Sequence, residues 1–191
     1  MKAIPLSSGI QPSRSLSDKS SEKAGVVCSG SLLGHVERAN PSTLTGFATT
    51  YELQLGAPLC NALTGSVEGS YRAAQRAAAP HRGQFGRVVK FDLQNSSLHI
   101  LRQGRGSSRV VYTVSVVVER YGRDMERLSR NVVTANKLVD CREVTNEVVR
   151  EAVEAALQQV ADDTWSLLVA RLDGPRQHGG SSDLVPAAPQ R

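Results

Sequence analysis

The chain has 191 residues, of which 40% are hydrophobic and only 4% aromatic, and its formal net charge is +5 at pH 7. This length fits one domain, whose core must consist mainly of valine, leucine and alanine. No apolar run approaches the roughly 18 residues of a membrane-spanning helix, so none is predicted. The N-terminus has no apolar signal segment, so we expect a cytoplasmic protein as written, or a periplasmic or outer-membrane-associated one if the true start lies upstream.

Two terminal segments have the composition of disordered chain. Serine, glycine, lysine and aspartate dominate residues 1–30, and Asn40-Pro41-Ser42 indicates a turn. The last residues are rich in glycine, serine and proline. Such segments bury too little apolar surface to offset the entropy of ordering them. We therefore predict a weakly ordered tail at 1–44, a folded domain at 45–172 and a disordered tail at 173–191.

The domain begins with a strand and a helix. In residues 47–55, mostly apolar side chains at the odd positions alternate with mostly polar side chains at the even positions, which is the pattern of a half-buried strand. Beyond Gly56, Pro58 suits the first turn of a helix, where its missing N–H is no loss. Apolar residues then recur at helical spacing from Leu59, so we predict a helix that ends at about Ala78.

The middle of the domain predicts a meander of three strands. Residues 89–102 form the first strand, and Asn95-Ser96-Ser97 indicates a bulge or break within it. A turn at 104–108 leads into the valine-rich run 110–118, whose β-branched residues indicate a central strand. Residues 128–138 supply a fourth, weaker strand.

The last predicted element is a long amphipathic helix. Asp140 and Glu143 have the spacing of a capping box at its start, and its acidic face is interpreted as solvated. The resulting order is β-α-β-β-β-α. It predicts an α+β fold, with a mostly antiparallel four-stranded sheet and two helices on one face.

No catalytic or metal-binding constellation emerges from the sequence. The three cysteines lack C-x-x-C spacing, and we expect buried thiols rather than a disulfide. The four histidines share no ligand spacing. These residues are Cys28, Cys60, Cys141, His35, His81, His99 and His178. We therefore predict no enzyme, no metal and no cofactor.

Basic residues provide the predicted binding surface. Residues 57–130 carry 12 lysines and arginines against 5 acids. Five arginines near the turns are predicted to line one end of the sheet, where they could bind nucleic acid, anionic lipid or an acidic partner. They are Arg82, Arg87, Arg102, Arg105 and Arg109. A nucleic-acid platform also needs aromatic side chains for base stacking, and the sheet offers only Phe91 and Tyr112, both in predicted core positions.

Residues 47–172 resemble small bacterial cell-envelope lipoproteins, such as the lipopolysaccharide-assembly lipoprotein. The similarity is carried by the strand 47–55, Pro58-Leu59 opening a helix, the strand 110–118 and the continuation through 128–160. It implies a non-enzymatic scaffold or assembly role and an anchor on a lipidated N-terminal cysteine. Cys28 lies shortly before the domain, but the bulky Val27 and the missing apolar stretch depart from that pattern. We interpret the resemblance as architectural.

Two functional hypotheses follow. The first is a non-catalytic protein-interaction or assembly domain, associated with the cell envelope if the resemblance extends to location, with another protein as its partner. The alternative is a nucleic-acid-binding module that uses the five arginines.

Overall fold

The computed structural model describes residues 2–7, 9–39, 50–103 and 106–170. The turn predicted at 40–42 and the tail predicted at 173–191 lie outside these residues. The strands are β1 Lys2–Ile4, β2 Ser20–Cys28, β3 Val36–Ala39, β4 Tyr51–Gln54, β5 Tyr71–Arg76, β6 Arg87–Gln103, β7 Ser107–Tyr121 and β8 Arg127–Cys141. The helices are α1 Gly30–Leu33, α2 Gly56–Glu68 and α3 Asn146–Ala170.

The strands form two sheets instead of the single four-stranded sheet that we predicted. Five strands pair in the order β5-β2-β6-β7-β8, and three pair in the order β1-β4-β3. β2 is parallel to both of its neighbours, whereas β6, β7 and β8 form an antiparallel meander. The α+β class and the meander are confirmed, but the larger sheet is mixed.

Side-chain alternation along β7 separates the two faces of the larger sheet. Even-numbered residues such as Val110, Val114 and Val118 are fully buried beneath the helices. Odd-numbered residues such as Val111 point to the opposite side, as the period of two in a strand requires. We call this opposite side of β6, β7 and β8 the outer face.

A β-bulge lies in β6 just before Asn95-Ser96-Ser97, where we predicted a bulge or break, and these three residues themselves pair in register with β7. The register of β6 against β7 shifts between Leu93 and Asn95. An extra residue reverses the alternation, so that odd-numbered Phe91 and even-numbered Leu98 both lie in the core. The bulge thus keeps the apolar side chains of a 17-residue strand on one side.

The strand β2 is the largest departure from the predicted architecture. Ala24 and Val26 are buried, and β2 pairs with a neighbour along both of its edges. Residues 20–28 are therefore part of the sheet, although we predicted a weakly ordered tail as far as residue 44.

The position of β5 is a second difference from the predicted architecture. It depends on β2, because β5 pairs with that strand. We predicted that the helix beginning near Pro58 would continue to about Ala78, but α2 ends at Glu68. Gly69 N donates to Gly65 O at 2.8 Å and Ser70 N to Val67 O at 2.9 Å, which closes the helix. The chain then enters β5, whose neighbour in the sheet is β2.

The smaller sheet contains part of the first predicted strand. β4 covers the second half of 47–55, while residues 47–49 lie outside the described chain. β4 pairs with β1 in parallel and with β3 in antiparallel, so it is not in the same sheet as the meander. The Tyr51 hydroxyl donates to the Val144 carbonyl at 3.2 Å, which joins this sheet to the approach of α3.

The long C-terminal helix begins later than predicted. The capping box at Asp140 is wrong because β8 continues through Cys141. Thr145 Oγ1 instead accepts from Val148 N at 3.4 Å, next to the first helical residue, Asn146. α3 packs on β7 and β8, α2 packs on β2 and β5, and the two helices contact each other.

The N-terminal segment is attached to the polar side of α3. Three side chains spaced by four residues hold it through hydrogen bonds. These are Ser7 N to Glu154 Oε1 (2.8 Å), Gln158 Nε2 to Gln11 O (2.6 Å) and Ser13 N to Asp162 Oδ1 (2.6 Å). The face that we interpreted as solvated is therefore partly covered, although Glu147 and Glu151 are exposed as expected.

Candidate interaction surface

Exposed aliphatic side chains lie together on the outer face. Leu101 on β6 and Leu138 on β8 are 51% and 50% exposed. Leu138 is the cross-strand partner of Val111 on β7, and Leu101 is the partner of Arg109, two residues from Val111 on the same face. We call Leu101, Val111 and Leu138 the aliphatic patch. Exposed apolar clusters of this kind commonly mark interaction sites.

The aliphatic patch adjoins β8, and no further strand of the described residues pairs with the outer edge of this strand. β8 is 15 residues long and lies at the end of the five-stranded sheet. A terminal strand has unpaired N–H and C=O groups on one side, which can pair with an added strand. Val132 on the same strand is 48% exposed and extends the apolar surface along this edge.

A group of ion pairs occupies the other end of the outer face. The carboxylate of Glu119 lies 3.3 Å from Arg127, 3.5 Å from Arg130 and 3.9 Å from Lys90. Glu119, whose side chain is only 13% exposed, thus lies within 4 Å of three bases, so this group of four side chains carries a net positive charge. The aliphatic and the charged ends together form a mixed surface typical of protein-binding sites.

The five predicted arginines do not form one basic surface in the structure. Arg82 and Arg87 lie before or at the start of β6, and Arg102 and Arg109 lie at the opposite end of the β6–β7 hairpin. Arg87 and Arg102 are 15 residues apart on one strand, which corresponds to about 50 Å. Arg105 lies outside the described residues. Binding of nucleic acid or lipid by this set stays a prediction, and its members would have to act at two separate places.

Arg109 is already paired with a neighbouring acid. Its Nε donates to Asp140 Oδ1 at 2.7 Å, and its Nη2 donates to Asp140 Oδ2 at 3.2 Å. This two-pronged hydrogen bond lowers the pKa of Asp140 below its ordinary value. The pair borders the aliphatic patch, since Arg109 is opposite Leu101.

Phe91 and Tyr112 are fully buried, as predicted, and present no ring for base stacking. The Tyr112 hydroxyl instead belongs to a buried polar network. It lies 3.1 Å from Ser96 Oγ, and Ser96 in turn donates to Glu37, whose Oε2 is 3.4 Å from His35 Nε2. Burial raises the pKa of Tyr112. Because Ser96 bonds the carboxylate directly and not the imidazole, the network lacks the serine–histidine contact of a hydrolase triad.

Two of the three cysteines form a disulfide, which corrects the expectation of free thiols. Cys28 at the end of β2 is bonded to Cys60 in α2, and Cys141 is free. The sequence carried no signal for this pair because the placement of β2 beside α2 is not visible in local patterns. Since its sulfur is in the disulfide, Cys28 is not available as a lipid-attachment site.

The described residues contain no group of three or more histidine, cysteine or acidic side chains placed to hold a metal ion. No helix within the described ranges is long and apolar enough to cross a membrane. A cleft of about 410 Å³ lies between β1, β4, α1 and the start of α2. Leu33, which is 49% exposed, is among its lining residues.

Neither a scan of protein-family models nor a search of curated proteins finds a match. Among solved structures, a Xanthomonas campestris protein of the DUF330 family has a TM-score of 0.57 and 14% identity, covering 90% of this chain and 97% of that chain. A minor lipoprotein from Acinetobacter baumannii has a TM-score of 0.46 and 10% identity, covering 81% of this chain and 96% of that chain. The first similarity shows that this chain shares its fold with the Xanthomonas protein.

The Arg109–Asp140 pair leads to a prediction about the pKa of Asp140 and the pH dependence of stability. Replacing Arg109 with Gln should raise the pKa of Asp140 toward its ordinary value, because the stabilised carboxylate loses its charged donor. In the parent protein, the stabilisation from the lowered pKa is present above the ordinary aspartate pKa and is lost as the pH falls through the lowered value. Carboxyl NMR titration measures the shift. Arg130→Gln serves as the control, and an Asp140 titration unchanged in Arg109→Gln would contradict the assignment.

The disulfide predicts a large effect of reduction on stability. It joins residues 32 positions apart, and loop-closure entropy for that separation corresponds to about 3 to 4 kcal/mol. We expect urea unfolding to show a loss of this size in the Cys28→Ser/Cys60→Ser protein. Cys141→Ser is the matched control and should change stability little. Alkylation of all three cysteines in the unreduced, unfolded protein would show that the bond does not form.

Proposed function

We propose that this chain is a non-catalytic protein-binding domain of the bacterial cell envelope, and that it contacts its partner through the aliphatic patch. The observation that carries the proposal is the exposure of Leu101 and Leu138 on the side of the sheet opposite the two helices. Leaving two leucines half in water costs free energy that a partner surface can recover by covering them. The neighbouring Arg109–Asp140 pair supplies a polar border that can direct orientation.

The edge strand supports a partner other than a second copy of the chain. β8 carries Arg127, Arg130 and Lys137, and charged residues on edge strands hinder pairing between identical edges. A partner segment with acidic residues could pair with the same edge and match these charges. This combination favours a heterologous protein contact over self-association.

The disulfide supports the envelope as the location. Disulfides persist in oxidising compartments and are rare in the bacterial cytosol, where thiols are kept reduced. Cys28–Cys60 joins two elements of the core and encloses a long loop, as a structural bond does. We therefore favour the periplasmic alternative over the cytoplasmic location expected from the N-terminal residues.

Paired variants test the binding proposal. The double variant Leu101→Glu/Leu138→Glu should keep the fold, because both side chains are half exposed, but should lose the partner captured by the parent protein from native envelope extracts. Leu33→Glu places one glutamate at an equally exposed leucine in the cleft, outside the aliphatic patch, and should retain the partner. The measurement is cross-linking and pull-down with identification by mass spectrometry.

Capture by the variants can be compared with capture by the parent protein only if the variants fold. Circular dichroism and thermal unfolding of each variant therefore accompany the capture experiments. Equal capture by the double variant and the parent protein would refute binding through the aliphatic patch. A parent protein that stays solitary in every native extract would refute the interaction role itself.

A further inference from the structure

A polar cavity of about 320 Å³ lies where α2 and β5 meet the segment between β1 and β2. Its lining consists of five polar or charged residues, none of which the proposed function uses. They are Gln11, Asn61, Thr64, Glu68 and Arg76. Ligand cavities commonly have volumes from about 300 to 1,000 Å³, so this one suits a small molecule. A lining without purely apolar side chains favours a polar ligand.

Four of the lining side chains are brought together by α2. Asn61, Thr64 and Glu68 are spaced at i, i+3 and i+7, which places them on one face of the helix. Gln11 can lie against the same helix because Gly65 has no side chain. A Cβ at Gly65 would be only 2.0 Å from Gln11 Oε1. The helix face and the N-terminal segment thus form adjacent walls of the cavity.

Arg76 on β5 is held at this helix face by two side-chain hydrogen bonds. Its Nε donates to Thr64 Oγ1 at 3.2 Å, and its Nη2 donates to Asn61 Oδ1 at 2.5 Å. Both acceptors are uncharged, and the arginine ion pairs of the described chain all involve other arginines. Because Nε and Nη2 occupy one side of the guanidinium, the end formed by Nη1 and Nη2 can donate to a carboxylate in a two-pronged pair.

Glu68 adds a negative charge to the same cavity. It lies one helical turn beyond Thr64, and Cβ atoms at this spacing are about 5 to 6 Å apart. Its carboxylate forms no ion pair within the described residues, since the ammonium group of Lys19 donates to the backbone carbonyl of Glu68 at 2.7 Å. One cation and one anion therefore line the cavity without pairing with each other, and a molecule between them can contact both.

We propose that this cavity binds a small zwitterion of the α-amino acid class. The ligand carboxylate pairs with the free end of Arg76, whose position is fixed in advance by Thr64 and Asn61. The ligand ammonium group donates to the Glu68 carboxylate and to Gln11 Oε1, which line the same cavity. A carboxylate without an ammonium group leaves the Glu68 charge unmatched, so the zwitterion is preferred over a simple anion.

NMR titration of the full-length protein at constant ionic strength tests this proposal. L-Alanine, L-serine and L-glutamine should shift the backbone amide signals of residues 61–68 in a saturable way. Propionate carries the carboxylate alone, and ethylammonium carries the ammonium group alone. Propionate should bind about tenfold more weakly than L-alanine, because it lacks the charged hydrogen bond to Glu68. Ethylammonium should not reach saturation.

Two variants separate the roles of the charged residues. Arg76→Gln should abolish saturation by all three amino acids, and Glu68→Gln should lower the affinity for L-alanine to that for propionate. Both side chains are exposed, so both variants should fold, and Glu68→Gln decides the matter if Arg76→Gln does not. Arg72→Gln is the matched control. Arg72 is an exposed arginine of the same strand that pairs with Asp18 at 3.2 Å outside the cavity, and its loss should leave the titration unchanged.

Three results would overturn the proposal. One is the absence of a saturable shift with any of the three amino acids, which would leave water as the partner of both charges. Another is equal affinity of the parent protein for L-alanine and propionate. The third is an unchanged titration in Arg76→Gln. None of these outcomes depends on the aliphatic patch, so the protein-binding proposal stands or falls separately.

Discussion

The architecture depends on the pairing of β2 with both β5 and β6. Without β2, β5 would have no neighbour in the larger sheet, and α2 would lose part of the surface on which it packs. Ala24 and Val26 fill the space between α2 and the sheet, and the disulfide fixes the end of the strand to that helix. Ser7 and Ser13 donate hydrogen bonds to carboxylates on α3, and these bonds hold the segment that leads into β2. An N-terminal segment of polar composition is thus an interior part of the fold.

Local sequence patterns predicted the strands and helices that can be recognised from the periodicity of their own residues. The alternating valines of β7 and the apolar stripe of α3 have strong periodicity, and both were recovered with small errors at their ends. A bulge or break was predicted at Asn95-Ser96-Ser97 because three small polar residues interrupt an apolar strand, and the bulge lies immediately before them. β2 differs because only Ala24, Gly25 and Val26 are buried along its length, after a start rich in serine and charge. Its hydrogen bonds come from strands about 50 to 65 residues away in parallel pairing, which local propensity does not report.

The candidate site residues show the same contrast between features visible in local sequence patterns and features set by tertiary structure. Arginines chosen for their closeness to turns were separated by the length of the β6–β7 hairpin, because sequence distance on a long strand becomes distance in space. Arg120 is only 6% exposed, and its burial follows from the inward alternation of Val114, Val116 and Val118, which its position continues. The Cys28–Cys60 bond could not be inferred without knowing where β2 lies.

Native-state hydrogen exchange of the β2 amides tests the central claim most directly. If β2 is an interior strand held between β5 and β6, the amides of Ala24, Gly25 and Val26 should exchange only through global unfolding, with protection similar to the middle of β7. Exchange of these amides at the rate of an unstructured peptide, while β7 stays protected, would contradict the account.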